Sequence, residues 1–154
     1  MLKILNMIIV GVLILGFNAC RSQGPAYQRH SSVIEEATSL IGSPYRYAGQ
    51  SPRGFDCSGL VKYVYAKEGI GLRGGSRHIF EQVETVPLNK AQPGDLLFFK
   101  QGGKIDHVAL LEKQSDREVW VIHSTSSRGV IREDFKSSPY WSTRFFKAGR
   151  VSRQ

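Results

Sequence analysis

Cysteine is scarce in this chain of 154 residues, which contains only Cys20 and Cys57. These two form no CxxC pair, and no cysteine and histidine cluster has the spacing of metal ligands, so we expect no metal and no other cofactor. No apolar run reaches the roughly 20 residues that a transmembrane helix needs. The longest run, residues 4–17, is interrupted by Asn6. Internal repeats and low-complexity segments are also lacking, which favours a single domain large enough to bury an adequate core.

Cys57 lies at the predicted start of an amphipathic helix. Asp56 is a favoured N-cap residue, and apolar residues follow at helical spacing until Gly69 ends the helix. In the first turn of a helix the macrodipole favours the thiolate, and a thiol there can have a pKa between roughly 3.5 and 7.5 instead of about 8.5. Cys57 is therefore a candidate nucleophile. The alternative is that it is a small buried core residue.

Two histidines follow in segments predicted to be neighbouring strands, residues 105–113 and 118–125. A hairpin closed around the polar turn between them brings His107 and His123 within one residue of direct pairing. Because side chains alternate between faces, strict pairing puts Ser124 opposite His107. The two imidazoles lie side by side only if the hairpin has a bulge or a loop of three or five residues.

Cys57, His107 and His123 together satisfy the logic of nucleophile, base and orienting group. His107 would take the proton of the Cys57 thiol and later donate it to the leaving amine. His123 would hold the His107 ring in the productive tautomer. The alternative for either histidine is a half-buried strand residue with a satisfied hydrogen bond.

Several segments carry a family resemblance in their order along the chain. They are residues 42–49 (Gly-Ser-Pro-Tyr-Arg-Tyr-Ala-Gly), 55–61 (Phe-Asp-Cys-Ser-Gly-Leu-Val), 92–99 (Gln-Pro-Gly-Asp-Leu-Leu-Phe-Phe), 106–109 (Asp-His-Val-Ala), and 121–124 (Val-Ile-His-Ser) with 129–130 (Gly-Val). This series resembles the NlpC-type cell-wall peptidases, which are papain-like cysteine hydrolases of bacterial peptidoglycan. The resemblance runs from about residue 31 to the C-terminus.

The resemblance implies a catalytic triad of Cys57, His107 and His123. It also implies that Tyr45 lies near the nucleophile, where its hydroxyl could stabilise an oxyanion, and that Asp56 and Ser58 line the substrate cleft. Structural alternatives remain for these three: Asp56 as an N-cap only, Ser58 as a residue of the first helical turn, and Tyr45 as part of the loop packing.

The activity implied is that of a peptidoglycan endopeptidase, which cuts peptide bonds in stem peptides or cross-links. Two alternatives stay open. One is a papain-like amidase or acyltransferase that acts on another substrate. The other is a non-catalytic wall-binding lipoprotein that keeps the fold.

The N-terminus resembles a bacterial lipoprotein signal, with a short positive start, the apolar core and the pair Ala19-Cys20. Cleavage before Cys20 and its acylation would give an exported, lipid-anchored protein, on the periplasmic face of the outer membrane in a diderm cell. An uncleaved membrane anchor and a plain secretory signal are the alternatives. With Cys20 assigned to lipidation, we expect Cys57 to be a free thiol.

The predicted organisation has three parts: a lipoprotein signal peptide at 1–19, a tether at 20–30 and a papain-like peptidase domain at 31–154. Helices precede strands, with a first helix opening at a capping box at Ser32 and a third helix at 76–84. Strands are predicted at 96–100, 105–113, 118–125, 130–133 and 144–151. This order predicts an α+β fold in which the nucleophile helix packs on an antiparallel sheet.

The charge balance is basic, with 21 Lys and Arg against 13 Asp and Glu and a formal net charge of +8. A basic chain is compatible with nucleic acid as a partner, but no recognised nucleic-acid motif is present and the predicted compartment does not fit. We therefore expect no nucleic acid, and predict attraction to peptidoglycan-associated acidic polymers or to lipid head groups. The sequence does not identify whether the chain has a protein partner.

Overall fold

The computed structural model describes residues 25–152. Its helices are α1 (Pro25–Ser39), α2 (Cys57–Lys67), α3 (Ser76–Phe80) and α4 (Pro139–Ser142). Its strands are β1 (Gln50–Ser51), β2 (Gly54–Phe55), β3 (Glu84–Val86), β4 (Leu96–Gln101), β5 (Lys104–Gln114), β6 (Val119–Thr125), β7 (Gly129–Asp134) and β8 (Phe145–Arg150). Within this range, no helix is both long enough and apolar enough to cross a bilayer. The predicted signal peptide and Cys20 lie outside the described residues.

An antiparallel sheet of six strands, in the order β3-β8-β4-β5-β6-β7, forms the centre of the molecule. Strands β1 and β2 form a separate short hairpin directly before α2. Helices α1 and α2 pack together against one face of the six-stranded sheet. The predicted α+β fold, with the nucleophile helix on an antiparallel sheet, is confirmed.

Strand β4 is buried on both faces, which explains its unbroken apolar sequence. Leu96 and Phe98 belong to the core beneath α1 and α2, whereas Leu97 and Phe99 belong to a second core on the opposite face. A strand that is covered on both faces does not alternate between apolar and polar residues, because neither side meets water. The second core contains Trp141 of α4 at its margin, so α4 lies on the face opposite α2.

The turn before β4 is held by a buried ion pair. Asp95 is 1% exposed, and its two carboxylate oxygens accept hydrogen bonds from the Arg150 guanidinium at 3.0 and 2.7 Å. The Gln92 N–H donates to the same carboxylate at 2.8 Å. A buried carboxylate needs such partners, so Asp95 acts here as a structural residue of the turn.

The first and third helices differ from their predicted extents. Helix α1 begins at Pro25, well before the predicted capping box at Ser32. Proline suits the first helical position because its φ is preset and its missing N–H would have no partner there. Residues 25–30, which belong to the predicted tether, are therefore helical. Helix α3 ends at Phe80, and Glu84 instead begins β3, an edge strand paired with β8.

Candidate active site

Helix α2 begins at Cys57, as the sequence predicts. Asp56 has extended backbone angles, and its Oδ1 accepts a hydrogen bond from the Gly59 N–H at 2.6 Å. The Ser58 hydroxyl donates to the same oxygen at 2.8 Å. The predicted N-cap is confirmed. The side chains of Asp56 and Ser58 are thus bonded to each other at the helix start, and neither lines the cavity that contains Cys57.

The loop at residues 42–49 brings Tyr45 into the cavity that Cys57 lines. The Asp56 N–H donates to the Gly49 carbonyl at 3.1 Å, so this loop packs directly on the start of α2. A Cβ on Gly59 would lie 1.9 Å from that carbonyl oxygen. Only glycine therefore permits this approach, which accounts for Gly59 in the motif around Cys57.

His107 and His123 share one face of the sheet because the hairpin between β5 and β6 contains a bulge. Leu110 pairs with Ile122, and Glu112 is left out of the pairing at the bulge. The extra residue shifts the alternation of side chains, as the sequence analysis required for adjacent imidazoles. When the pairing of Leu110 with Ile122 is continued along both strands, His107 and His123 become diagonal neighbours on one face of the sheet. The distance from His107 Nε2 to His123 Nδ1 is 2.9 Å.

Cys57, His107 and Tyr45 line one cavity of about 540 Å³. The remaining lining residues are Gln101, Asp106, Ser124, Thr125, Ser126, Ser127, Arg128, Ser138, Tyr140, Trp141 and Arg144. The His123 side chain is fully buried and does not line this cavity. Burial, followed by the charges of Asp56 and Cys57, raises the pKa of Tyr45, so its hydroxyl stays protonated at neutral pH and can donate a hydrogen bond.

The Cys57 thiol faces the backbone of β5. Its Sγ lies 4.0 Å from the Asp106 carbonyl oxygen. Burial raises the pKa of the thiol to about 11, the Val108 N–H opposes this by favouring the thiolate, and the charge of Asp56 adds to it. The sequence analysis expected a lowered pKa from the helix start, but loss of water around the sulfur outweighs that effect.

The His107 ring is neutral in this site. Burial, and then the neighbouring His123, holds the pKa of His107 well below its usual value. The neutral ring can accept a proton, while its pairing with His123 occupies only Nε2. Among the described residues, no hydrogen bond joins Cys57 to His107, and contacts of this kind often tighten only when substrate binds.

The sequence analysis missed Glu133, which extends the histidine pair. Its Oε1 lies 2.7 Å from His123 Nε2, and Arg128 binds both of its oxygens, at 2.9 and 3.1 Å. Burial raises the pKa of Glu133, but hydrogen bonds from His123 and Arg128 outweigh it, so that the net pKa is lowered. A strand at 130–133 is predicted, and two-residue alternation from it could have placed this carboxylate on the same face as His123.

Trp141 is the second residue that the sequence analysis missed. Its ring stacks on His107 with centroids 4.3 Å apart, and its Nε1 donates to Glu133 Oε1 at 3.0 Å. Trp141 belongs to the four-residue helix α4, which is too short to show a helical pattern in sequence.

A larger cavity, of about 740 Å³, lies along the segment 69–74 and contains none of the predicted site residues among its lining residues. In the part of the chain that the structure describes, no three His, Cys, Asp or Glu side chains are grouped as metal ligands would be. The cavity of about 540 Å³ brings together the Cys57 thiol, the His107 ring, the Asp106 carboxylate and several N–H or O–H donors.

Comparison with known proteins confirms the resemblance. The NlpC/P60 family model matches residues 42–150. The gamma-DL-glutamyl hydrolase of Bacillus subtilis is 36% identical over 121 residues, which are 78% of this chain and 29% of that protein. The probable endopeptidase p60 of Listeria innocua is 41% identical over 79 residues, which are 51% of this chain and 17% of that protein.

A solved structure from Staphylococcus aureus, of an NLP/P60 family protein described as similar to lipoprotein, is also similar to this chain. It has 31% sequence identity and a TM-score of 0.70, and the match covers 82% of this chain and 42% of that one. This chain thus spans less than half the length of each of these three relatives.

Proposed function

The chain belongs to the NlpC/P60 family, and we propose that it is a peptidoglycan endopeptidase. It would hydrolyse peptide bonds in stem peptides or their cross-links, with Cys57 as nucleophile, His107 as base and His123 as orienting residue. The observation that carries this proposal is the shared cavity of Cys57 and His107, with His107 bonded to His123 at 2.9 Å. The Bacillus subtilis and Listeria innocua relatives, named as a hydrolase and a probable endopeptidase, support the same activity.

In the first step, His107 Nδ1 takes the proton of the Cys57 thiol while Sγ attacks the peptide carbonyl carbon. Both groups are neutral at rest, since burial disfavours a charge on either one. Proton transfer therefore accompanies attack. This is general base catalysis of a nucleophile, which is worth about 10²–10⁴ in rate.

Attack by sulfur leaves a negative charge on the carbonyl oxygen of the substrate. Hydrogen-bond donors at the start of α2 would stabilise this charge. The first N–H groups of a helix have no partner inside the helix, so the Cys57 N–H is suited to this oxygen. The protonated hydroxyl of Tyr45 is a second donor in the same cavity. Such donors are worth about 2.7–4 kcal/mol each in related acyl transfers.

Collapse of this intermediate breaks the C–N bond, and His107 gives its proton to the leaving amine. A thioester on Cys57 remains. Water then attacks the thioester while His107 accepts its proton. The C–S bond breaks, the carboxylic acid product leaves, and the proton on His107 returns to the sulfur to restore the thiol. The net reaction consumes one water for each peptide bond.

We also infer that Cys20 carries the lipid that holds the protein to the cell envelope. The support is the sequence pattern around Ala19-Cys20 and the description of the Staphylococcus aureus relative as similar to lipoprotein. A lipid at Cys20 would keep the domain close to its polymeric substrate.

Mass spectrometry of purified muropeptides incubated with the chain tests the proposed activity. Wild type should yield peptide fragments that together weigh one water more than the substrate, and Cys57→Ala should yield none. Transfer of the acyl group to an acceptor other than water would instead indicate an acyltransferase. Muropeptides that are bound but not cut by wild type would indicate a wall-binding protein.

A further inference from the structure

Hydrogen-bonding groups from three parts of the fold contact the Glu133 carboxylate. It accepts hydrogen bonds from Arg128 and from the indole N–H of Trp141. His123 Nε2 lies 2.7 Å from Glu133 Oε1, the oxygen that also accepts from Trp141. The Glu133 side chain is 18% exposed, so these contacts form largely away from water.

The protons on both histidines follow from this arrangement. A carboxylate that is bonded by Arg128 and Trp141, which can only donate, acts as an acceptor. His123 must then donate from Nε2, which leaves its Nδ1 as an acceptor. His107 in turn must donate from Nε2 to that nitrogen. Its Nδ1 is left unprotonated, and this is the state a base must have.

We propose that Glu133 is a positioning residue that sets the tautomers of His123 and His107 and holds Trp141 against the His107 ring. Its effect on turnover rests on the proposed peptidase function, whereas its effect on the tautomers does not. Glu133 would act through His123 and Trp141 without touching substrate.

Loss of this carboxylate would have a specific chemical consequence. His123 would keep a buried Nε2 N–H with no acceptor, which is unfavourable, and the ring could move its proton to Nδ1. That proton would point at His107 Nε2, which would have to become the acceptor. His107 would then carry its own proton on Nδ1 and could not take one from Cys57.

Nitrogen-15 NMR of the histidine rings in the wild-type chain tests the tautomers directly. At neutral pH, we expect both His107 and His123 to be protonated at Nε2 alone. In Glu133→Ala, both rings should populate the other tautomer. A wild-type His107 protonated at Nδ1, or an unchanged pair of tautomers in Glu133→Ala, would overturn the proposal.

Kinetics on a muropeptide substrate test the consequence for turnover. Glu133→Ala should lower kcat by about 10–100-fold, as loss of an orienting group does in other sites, with KM within about twofold. Glu133→Gln keeps an acceptor for His123, so it should retain more activity than Glu133→Ala. If Glu133→Ala does not fold, the wild-type tautomers carry the test, and a wild-type His107 protonated at Nδ1 overturns the proposal.

Glu112→Gln is the matched control, since Glu112 is a sheet residue with an arginine partner, Arg132, and a side chain that is 15% exposed. It does not line the catalytic cavity. We expect wild-type kcat in this variant, and an equal loss in Glu112→Gln and Glu133→Gln would overturn the proposal. If wild type cuts no muropeptide while the tautomers are as expected, the peptidase function fails and the positioning role of Glu133 stands.

Discussion

His107 Nε2 and His123 Nδ1 lie 2.9 Å apart in a buried pair. One of these two nitrogens therefore carries a proton and donates it to the other. The other nitrogen of His123 is bonded to Glu133, whereas Nδ1 of His107 is free to serve the thiol. In the proposed mechanism the two histidines therefore have unequal tasks. His107 would exchange protons with substrate and nucleophile, and His123 would hold His107 in place.

Substitutions of the two histidines should separate these tasks. His107→Ala removes the base and should lower kcat by about 10²–10⁴-fold. His123→Gln should retain measurable turnover, because a glutamine can accept from His107 through its oxygen and donate to Glu133 through its nitrogen. Steady-state kinetics of both variants check this. If His123→Gln is as inactive as His107→Ala, while Cys57 is alkylated normally in His107→Ala, the two roles are reversed.

The resting Cys57 should be a weakly reactive thiol. In the Cys20→Ser variant, where Cys57 is the remaining cysteine, the rate of alkylation by iodoacetamide should rise with pH through a midpoint near 11, since burial raises the pKa of the thiol to about 11. The same variant unfolded in denaturant serves as the control and should titrate near the ordinary thiol value of about 8.5. A midpoint below about 8 in the folded protein would show instead that the helix start controls the thiol.

Gly59→Ala should destabilise the protein and lower its activity. The new Cβ would lie 1.9 Å from the Gly49 carbonyl oxygen, which forces the loop that carries Tyr45 away from α2. We expect a loss of about 1–3 kcal/mol in the free energy of unfolding, measured by denaturant titration. Gly71→Ala is the control, because a Cβ on Gly71 has no atom within 4 Å. Equal stability of the two variants would contradict the close approach.

The lipid anchor is tested in cells rather than on the purified domain. Metabolic labelling with a fatty-acid analogue should mark the wild-type chain and fail in Cys20→Ser, because acylation requires the Cys20 sulfur. The labelled chain should fractionate with membranes. Equal labelling of both forms would refute the assignment of Cys20.

Much of this site could be predicted because its signals are local in sequence. The Asp56 cap, the helix that starts at Cys57 and the strands that carry both histidines follow from residue preferences over a few positions. The relative register of β5 and β6 could not be predicted, since it depends on the bulge at Glu112, and a bulge has no reliable sequence signal. The sequence therefore left open whether the histidines share a face.

Glu133 and Trp141 escaped prediction for a different reason. Each acts through side-chain contacts between separate elements, and their residue types are common on strands and turns. The pKa of Cys57 was misjudged for a related reason. The helix start is a local feature, whereas burial of the sulfur depends on how closely β5 and α2 pack, which only the assembled fold determines.

We infer that Cys57 forms a thioester with the peptide substrate. Turnover of a purified muropeptide can be quenched in acid within the first catalytic cycles and followed by mass spectrometry of the digested protein. We expect an acyl adduct on the peptide that contains Cys57, no adduct in Cys57→Ala, and no product from that variant despite its intact fold. Product formation by Cys57→Ala, or an adduct on another residue, would contradict it.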